Sequence, residues 1–332
     1  MKRILTLALA AAAGIVAVGT ASAADKVSLR LKWLTQAQFA GYYAALENGY
    51  YADENLDVTI NPIGTDFNPQ QALIAGDDVV LDWMPNALAN REKGVATVNI
   101  AQPFKKSGMM LTCRKDTGIT SPADFKGKTL GVWFGGNEYP FLSWMSKLGI
   151  STDGGPDGVT VLKQGFNVDP LLQKQADCVS TMTYNEYWQI IDGGIPADQL
   201  VVFKYEDEGV STLEDGLYVL EDNLKDDAFK DKMARFVRAS MKGWEWAREN
   251  SDAAAMIVLE ADASGAATEK HQKRMMGEIN KLTEGSTGAL VEADFKRTVE
   301  TLLTAGSDPV ITKEPEGAWT HEITDMAGLG KM

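Results

Sequence analysis

Short β-like runs alternate with helical segments along the first two thirds of the chain, and this alternation restricts its fold more than any other feature. Residues 27–33 alternate apolar and polar side chains, as half-buried strands do. Residues 38–48 follow with apolar positions at helical spacing and stop at Gly49. Because a β-α-β order places strands side by side with helices on their faces, the sequence predicts an α/β fold with parallel or mixed sheets.

The same reading divides the rest of the chain into elements. Strands are predicted at residues 27–33, 56–63, 79–83, 95–102, 109–114, 129–134, 159–163, 178–183, 200–205 and 216–220. Helices are predicted at residues 38–48, 69–76, 84–94, 137–148, 168–175, 185–191, 226–249, 251–261, 268–282 and 291–304. Asn68 and Asn137 are predicted to cap the helices that they precede.

Two α/β units stand in series, and the chain then returns in a nearly all-helical segment. This order predicts a bilobal protein whose chain crosses between the lobes near residues 103–105 and again near 206–209. Two crossings form a hinge, and a ligand is expected in the central cleft. The predicted boundaries are a first lobe of residues 24–105 plus 213–332 and a second lobe of residues 106–212.

The N-terminus has the pattern of a cleaved signal peptide. Lys2 and Arg3 precede an apolar stretch that ends in an Ala-x-Ala sequence at Ala21 and Ala23. Residues 1–23 are therefore expected to be removed, which places the mature protein outside the cytoplasmic membrane, in the periplasm.

Acidic residues exceed basic ones, and the formal charge is −14. Removal of Lys2 and Arg3 makes the mature chain more acidic still. Such a charge argues against nucleic acid and anionic membrane surfaces as partners, and it mildly disfavours a strongly anionic ligand. A soluble monomer is expected.

Cysteine and histidine are scarce. Cys113 and Cys178 both fall in predicted strands of the second lobe, and an oxidising compartment permits a disulfide, although buried thiols fit the pattern equally well. His271 and His321 are the only histidines, and no metal-ligand spacing is present. Neither a metal nor a cofactor is expected.

In open α/β sheets, ligands bind beyond the carboxyl ends of the strands. Each turn from a strand into the following helix is called a corner here. The first corner lies at the start of residues 33–51, which contain four of the nine tyrosines. Trp33 is predicted to stack on a flat ring, and Gln36 and Gln38 to exchange hydrogen bonds with its polar edge. Phe39 and Tyr42 are further candidates; the alternative role of Phe39, as of Tyr43, is the core face of a helix.

Three more corners supply the remaining candidates. Asp82 and Trp83 would offer an acceptor and a second ring, unless Trp83 packs beneath the cleft. Tyr184, Asn185 and Glu186 would place a carboxylate against an exocyclic amine, unless Asn185 is simply a helix cap.

The fourth corner is the glycine pair and the two residues after it. Gly135, Gly136, Asn137 and Glu138 would bring backbone amides close to a ligand, unless Glu138 only complements a helix dipole. Phe67, Gln102 and Phe104 are weaker candidates, whereas Trp244 and Trp246 are expected in the core.

Residues 33–51 and the Asp-Phe-Lys-Gly-Lys-Thr-Leu-Gly-Val run at 124–132 resemble the periplasmic solute-binding proteins of ABC importers related to thiamine-pyrimidine synthase and to sulfonate-binding proteins. The resemblance implies a type II periplasmic-binding-protein fold and a membrane permease as partner. It also implies a small-molecule cargo: a pyrimidine, riboflavin, or a sulfonate such as taurine. Relatives that bind pyrimidines use a glutamate in this part of the second lobe, which Glu186 matches.

Two observations choose among these functions. No arginine occurs at any of the four corners, which favours a neutral or weakly basic heteroaromatic ring over an oxyanion. The alternative is thiamine-pyrimidine synthase itself, an enzyme that uses pyridoxal phosphate on a lysine. Those enzymes carry a histidine where this chain has residues 35–38 and a cysteine-rich run that it lacks, and Lys32 alone does not restore the match. A binding protein without enzymatic activity is therefore predicted.

Overall fold

A computed structural model of the chain describes residues 23–63, 68–304 and 309–330. Apart from Ala23, the predicted signal peptide lies outside these residues, and so does Phe67. Within them, no helix is both long enough and apolar enough to cross a bilayer.

The described residues form ten strands and twelve α-helices. The strands are β1 (Asp25–Arg30), β2 (Leu56–Asn61), β3 (Val79–Asp82), β4 (Thr97–Ala101), β5 (Met109–Arg114), β6 (Thr129–Val132), β7 (Thr160–Lys163), β8 (Cys178–Met182), β9 (Leu200–Lys204) and β10 (Gly216–Leu220). The helices are α1 (Ala40–Glu47), α2 (Tyr50–Asp53), α3 (Pro69–Ala75), α4 (Met84–Glu92), α5 (Tyr139–Leu148), α6 (Asp169–Leu172), α7 (Glu186–Asp192), α8 (Asp227–Glu249), α9 (Ser251–Ala261), α10 (Glu269–Thr283), α11 (Glu292–Leu303) and α12 (Glu322–Met326). All ten predicted strands are present, and only the short helices α2 and α12 were not predicted.

Two mixed five-stranded sheets organise the molecule. The first has the order β2-β1-β3-β10-β4, and the second has the order β7-β6-β8-β5-β9. In the first sheet β10 runs antiparallel to β3 and β4, while in the second β5 runs antiparallel to β8 and β9. The other strand pairs are parallel. This arrangement confirms the predicted bilobal α/β fold with two mixed sheets.

Two segments connect the sheets, residues 102–108 and residues 205–215. Glu214 of the second segment is fully buried and accepts hydrogen bonds from the Ser107 hydroxyl (2.5 Å) and the Gly108 amide (3.0 Å) of the first. Burial raises the pKa of the Glu214 carboxyl to about 8. One side chain thus ties the two crossings together.

Close helix packing builds the core of the first lobe. A Cβ added at Gly243 of α8 would lie 2.1 Å from the carbonyl oxygen of Gly41 in α1, so the two helices can approach only because these residues lack side chains. Trp244 is fully buried there, edge-on to Tyr42 and to Phe104 with ring centroids 5.6 and 5.8 Å apart. The prediction that Trp244 belongs to the core is confirmed.

The second lobe contains a disulfide. Cys113 of β5 and Cys178 of β8 are paired in register on adjacent antiparallel strands, and the structure joins them. Both residues are fully buried. Sequence spacing left the alternatives open because only the strand register brings the two positions together.

One predicted helix cap is confirmed and one is wrong. The side chain of Asn68 accepts a hydrogen bond from the Gln70 amide and caps α3. α5 begins at Tyr139, two residues beyond Asn137, and its cap position is Glu138. Asn137 is therefore free of a capping role, and its side chain lies at the cleft described next.

Candidate functional site

A narrow cleft lies between the two sheets, with about 310 Å³ of empty space if its open mouth is included. Seven of the predicted ligand residues line it: Trp33, Gln36, Gln38, Trp83, Asn137, Tyr184 and Glu186. Three further residues complete the lining: Lys32, Trp133 and Met182. The first lobe supplies its residues from the ends of β1 and β3, and the second lobe from the ends of β6 and β8. The strand ends of both sheets thus meet at this cleft, where the strand-end rule predicts a ligand.

Three tryptophan rings face this cleft. Trp33 stands edge-on to Trp133 of the opposite lobe with ring centroids 6.3 Å apart, and edge-on to Phe166 at 4.5 Å. Together the rings offer flat apolar faces.

A buried ion pair lies behind Trp83. The Lys32 ammonium donates to Asp82 Oδ1 (3.1 Å) and sits 5.1 Å from the centre of the Trp83 ring. Asp82 is fully buried, and its other oxygen accepts from Gln70 (2.6 Å) and Asn86 (2.7 Å). Asp82 was predicted as a ligand acceptor, but the structure places it beneath the cleft, with its oxygens occupied by protein donors.

A chain of amides runs from the cleft to the hinge. Gln36 donates to Gln38 (2.6 Å), and Gln38 donates to Asp215 Oδ2 (2.7 Å), next to the hinge residue Glu214. Burial raises the pKa of the Asp215 carboxyl to about 6, although Gln38 and Trp83 favour its charged form. The Gln36–Gln38 loop is also fixed by the Ala37 amide, which donates to Gln272 Oε1 of α10 (2.7 Å).

Glu186 is the carboxylate of the second-lobe wall. It is 1% exposed, and it accepts from the Met182 amide (3.0 Å) and from Asn185 Nδ2 (2.7 Å). Burial raises its pKa to about 7 despite these donors. Near neutral pH the carboxyl is therefore divided between its neutral and charged forms. A ligand that donates a hydrogen bond to it would favour the charged form.

Asn185 does not line the cleft and makes no capping bond to α7. Its amide nitrogen also reaches Gln36 Oε1 (3.3 Å), across the cleft, and its oxygen is 2.8 Å from His271 Nε2. An amide oxygen can only accept, so Nε2 carries the hydrogen. The predicted role in ligand contact is replaced by one in positioning Glu186.

The glycine corner is organised differently from the prediction. The Gly136 amide donates to the side chain of Glu138 (2.7 Å). A Cβ at Gly136 would lie 2.4 Å from Asn86 Cβ, so the glycines allow close approach to the first lobe. Gly135, Gly136 and Glu138 are absent from the cleft lining in the described structure; only Asn137 of this corner contributes.

Two aromatic candidates belong to the core. Phe39 is fully buried, and Tyr42 packs against Trp244 as described above. The weaker candidates Gln102 and Phe104 are also buried away from the cleft. The residues that sequence reasoning missed, Trp133, Met182 and Lys32, all lie at strand ends, so a consistent application of the strand-end rule would have found them.

Comparison with known proteins places this site in a family. The sequence pattern of the NMT1/THI5-like family matches residues 36–254. A formylaminopyrimidine-binding protein of Halalkalibacterium halodurans is 27% identical over 253 residues, 71% of this chain and 71% of that protein. The riboflavin-binding protein RibY of Chloroflexus aurantiacus is 22% identical over 250 residues, 71% of this chain and 66% of that protein.

A solved structure shares the fold. The periplasmic aliphatic sulphonate binding protein SsuA from Escherichia coli superposes with a TM-score of 0.65 at 14% identity, covering 88% of this chain and 90% of that chain. The two lobes, their mixed sheets and the strand-end cleft are thus the architecture of periplasmic binding proteins. With the family pattern matched over about two thirds of its length, the chain belongs to the NMT1/THI5-like family.

Proposed function

We propose that this protein is the periplasmic substrate-binding component of an ABC importer and that it captures a small heteroaromatic solute, of pyrimidine type, for delivery to a membrane permease. The observation that carries the proposal is the convergence of three tryptophans and one buried carboxylate, Glu186, on a single cleft between the lobes. Aromatic walls suit a flat ring, and a carboxylate suits its amino group.

The narrowness of the cleft favours one ring over three. The space open to a ligand is about 20 Å³, far below the roughly 300–1,000 Å³ that is usual for ligand pockets, so the lobes must part to admit any ring. A single substituted pyrimidine requires less opening than a flavin with its ribityl chain. Riboflavin is therefore the second choice of ligand.

Charge disfavours a sulfonate. Lys32 is the only cationic side chain of the cleft lining in the described structure, and Asp82 already neutralises it. Glu186 and Asp215 add carboxyls close by. An anionic ligand would meet no unpaired charge-assisted donor from these residues.

An enzymatic role receives no support from Lys32. Pyridoxal phosphate chemistry requires a lysine that can act as a neutral nucleophile. The Lys32 amino group is instead engaged in a buried ion pair with Asp82. We therefore propose binding without catalysis.

The test is thermal unfolding of the protein lacking residues 1–23 against a panel of 4-aminopyrimidines, riboflavin, taurine and an alkanesulfonate. A ligand at 100 times its Kd adds about 2.7 kcal/mol to the free energy of unfolding. We expect a rise in Tm with an aminopyrimidine, and its loss in Trp33→Ala. Trp246→Ala, on α8, is the matched control and should keep the rise. A rise only with sulfonates would contradict the heteroaromatic proposal.

A further inference from the structure

Helix α10 belongs to the first lobe but lies against the second along its N-terminal half. The Asp192 carboxylate at the end of α7 pairs with Lys270 (2.9 Å) and with Arg274 (3.0 Å) of α10. The Arg274 guanidinium also sits 4.5 Å from the centre of the Trp188 ring, again on α7. One helical turn therefore makes three charged contacts across the lobe interface.

The same turn of α10 carries two residues that hydrogen-bond to the walls of the cleft. His271 donates to Asn185, which in turn holds Glu186 in the second-lobe wall. Its neighbour Gln272 is buried and accepts from the Ala37 amide in the first-lobe wall. Consecutive residues of α10 thus hold both walls, and the Asp192 pairs hold α10 to the second lobe.

The other end of α10 is fixed near the hinge. The Leu282 carbonyl accepts from the Lys105 amide in the first crossing segment (2.9 Å). At 1.5 Å per residue, Arg274 and Lys270 stand roughly 12–18 Å further along the helix axis. Rotation about the hinge separates contacts at this distance much further than contacts at the hinge itself. The distant contacts must therefore break when the lobes open.

We propose that Lys270, His271 and Arg274 of α10 form an interlobe latch with Asn185, Trp188 and Asp192, and that this latch holds the lobes closed and keeps Glu186 in register with the Gln36–Gln38 loop. The proposal rests on the proposed function in that closure retains a ligand. The latch is made of exposed or half-buried charges, so each pair contributes modestly and remains breakable when ligand must leave.

The test compares Asp192→Asn with Lys273→Ala in the protein lacking residues 1–23. Asp192→Asn weakens both interlobe ion pairs at once. Lys273 lies on the same helix, and among the residues that the structure describes it pairs only with Asp252 and Glu269 of the first lobe, so its variant is the matched control. Two quantities are measured: the radius of gyration by small-angle X-ray scattering, with and without 4-amino-2-methylpyrimidine, and the dissociation rate of that probe by stopped-flow tryptophan fluorescence.

We expect Asp192→Asn to increase the radius of gyration and to raise the dissociation rate about fivefold, as two exposed pairs of ordinary strength imply. Lys273→Ala should match the wild type in both. Equal radii and equal rates for the two variants would overturn the latch. If the probe binds no variant, the proposed function fails, and the radii alone still decide whether Asp192 holds the lobes together.

Discussion

Asn185 and Glu186 are consecutive residues whose side chains are hydrogen-bonded to each other at 2.7 Å, and the same Asn185 amide reaches Gln36 of the opposite lobe at 3.3 Å. The carboxylate on one wall of the cleft and the amide on the other therefore accept from the same nitrogen, whose two hydrogens serve both at once. One side chain of the second lobe thus contacts both walls.

Glu186→Gln should weaken binding of an aminopyrimidine. A hydrogen bond to a charged acceptor contributes about 1.5–3 kcal/mol, so we expect Kd to rise roughly 10- to 100-fold, measured by calorimetric titration. Glu138→Gln is the matched control, because that half-buried carboxyl bonds to Gly136 and does not line the cleft. An equal loss in both variants would show that Glu186 has no special contact with the ligand.

The ligand-free protein should lose stability as pH rises from about 5 to 8. The folded-state pKa values of Glu186, Glu214 and Asp215 are raised to about 7, 8 and 6 by burial. Each group keeps its proton in the folded protein at pH values where the unfolded chain has released it. The folded state then binds more protons, and the free energy of unfolding falls with pH.

Urea unfolding at pH 5, 6, 7 and 8 measures this slope. Each group contributes up to about 1.4 kcal/mol per pH unit between its unfolded and folded pKa values. Glu186→Gln should remove its share between pH 5 and 7 and leave the decline due to Glu214 above pH 7. A slope unchanged by Glu186→Gln would mean that this carboxyl titrates normally.

Reduction of the Cys113–Cys178 disulfide should destabilise the protein. The bond closes a loop of 65 residues, and loop-closure entropy predicts a loss of roughly 4 kcal/mol in the free energy of unfolding when it is removed. The Cys113→Ala/Cys178→Ala double variant is compared with wild type in urea, with and without reductant. Reductant should affect only the wild type. An identical wild-type midpoint under both conditions would contradict the bond.

Gly243→Ala should destabilise the first lobe by several kcal/mol, because its Cβ would meet the Gly41 carbonyl oxygen at 2.1 Å where α1 and α8 cross. Gly277→Ala in α10 is the opposite case. Outside its chain neighbours and its own helix backbone, no described atom lies within 4 Å of its added Cβ, so the higher helix propensity of alanine should raise stability by about 0.5–1 kcal/mol. Thermal unfolding of the two variants measures the change in Tm, which should fall for Gly243→Ala and rise for Gly277→Ala. A change of the same sign in both would contradict the packing argument.

The order of strands and helices could be predicted from the sequence because hydrophobic periodicity and glycine or proline stops are local signals. The strand-end rule likewise selected Trp33, Trp83 and Glu186, which the structure brings to one cleft. The predicted lobe boundaries, at residues 105/106 and 212/213, fall within the two connecting segments and stay predictions.

Tertiary structure decided whether a side chain at a strand end lines the cleft or packs beneath it. Asp82 and Trp83 are neighbours in sequence, yet one turns inward to Lys32 and the other lines the cleft. Tyr42 joins the core because α8 packs over α1, a contact between segments some two hundred residues apart. Phe39 lies in the turn before α1, which packs against α9 and α10. Periodicity identifies the buried face of an element but not the partner that buries it, and that partner determines which residues remain available to a ligand.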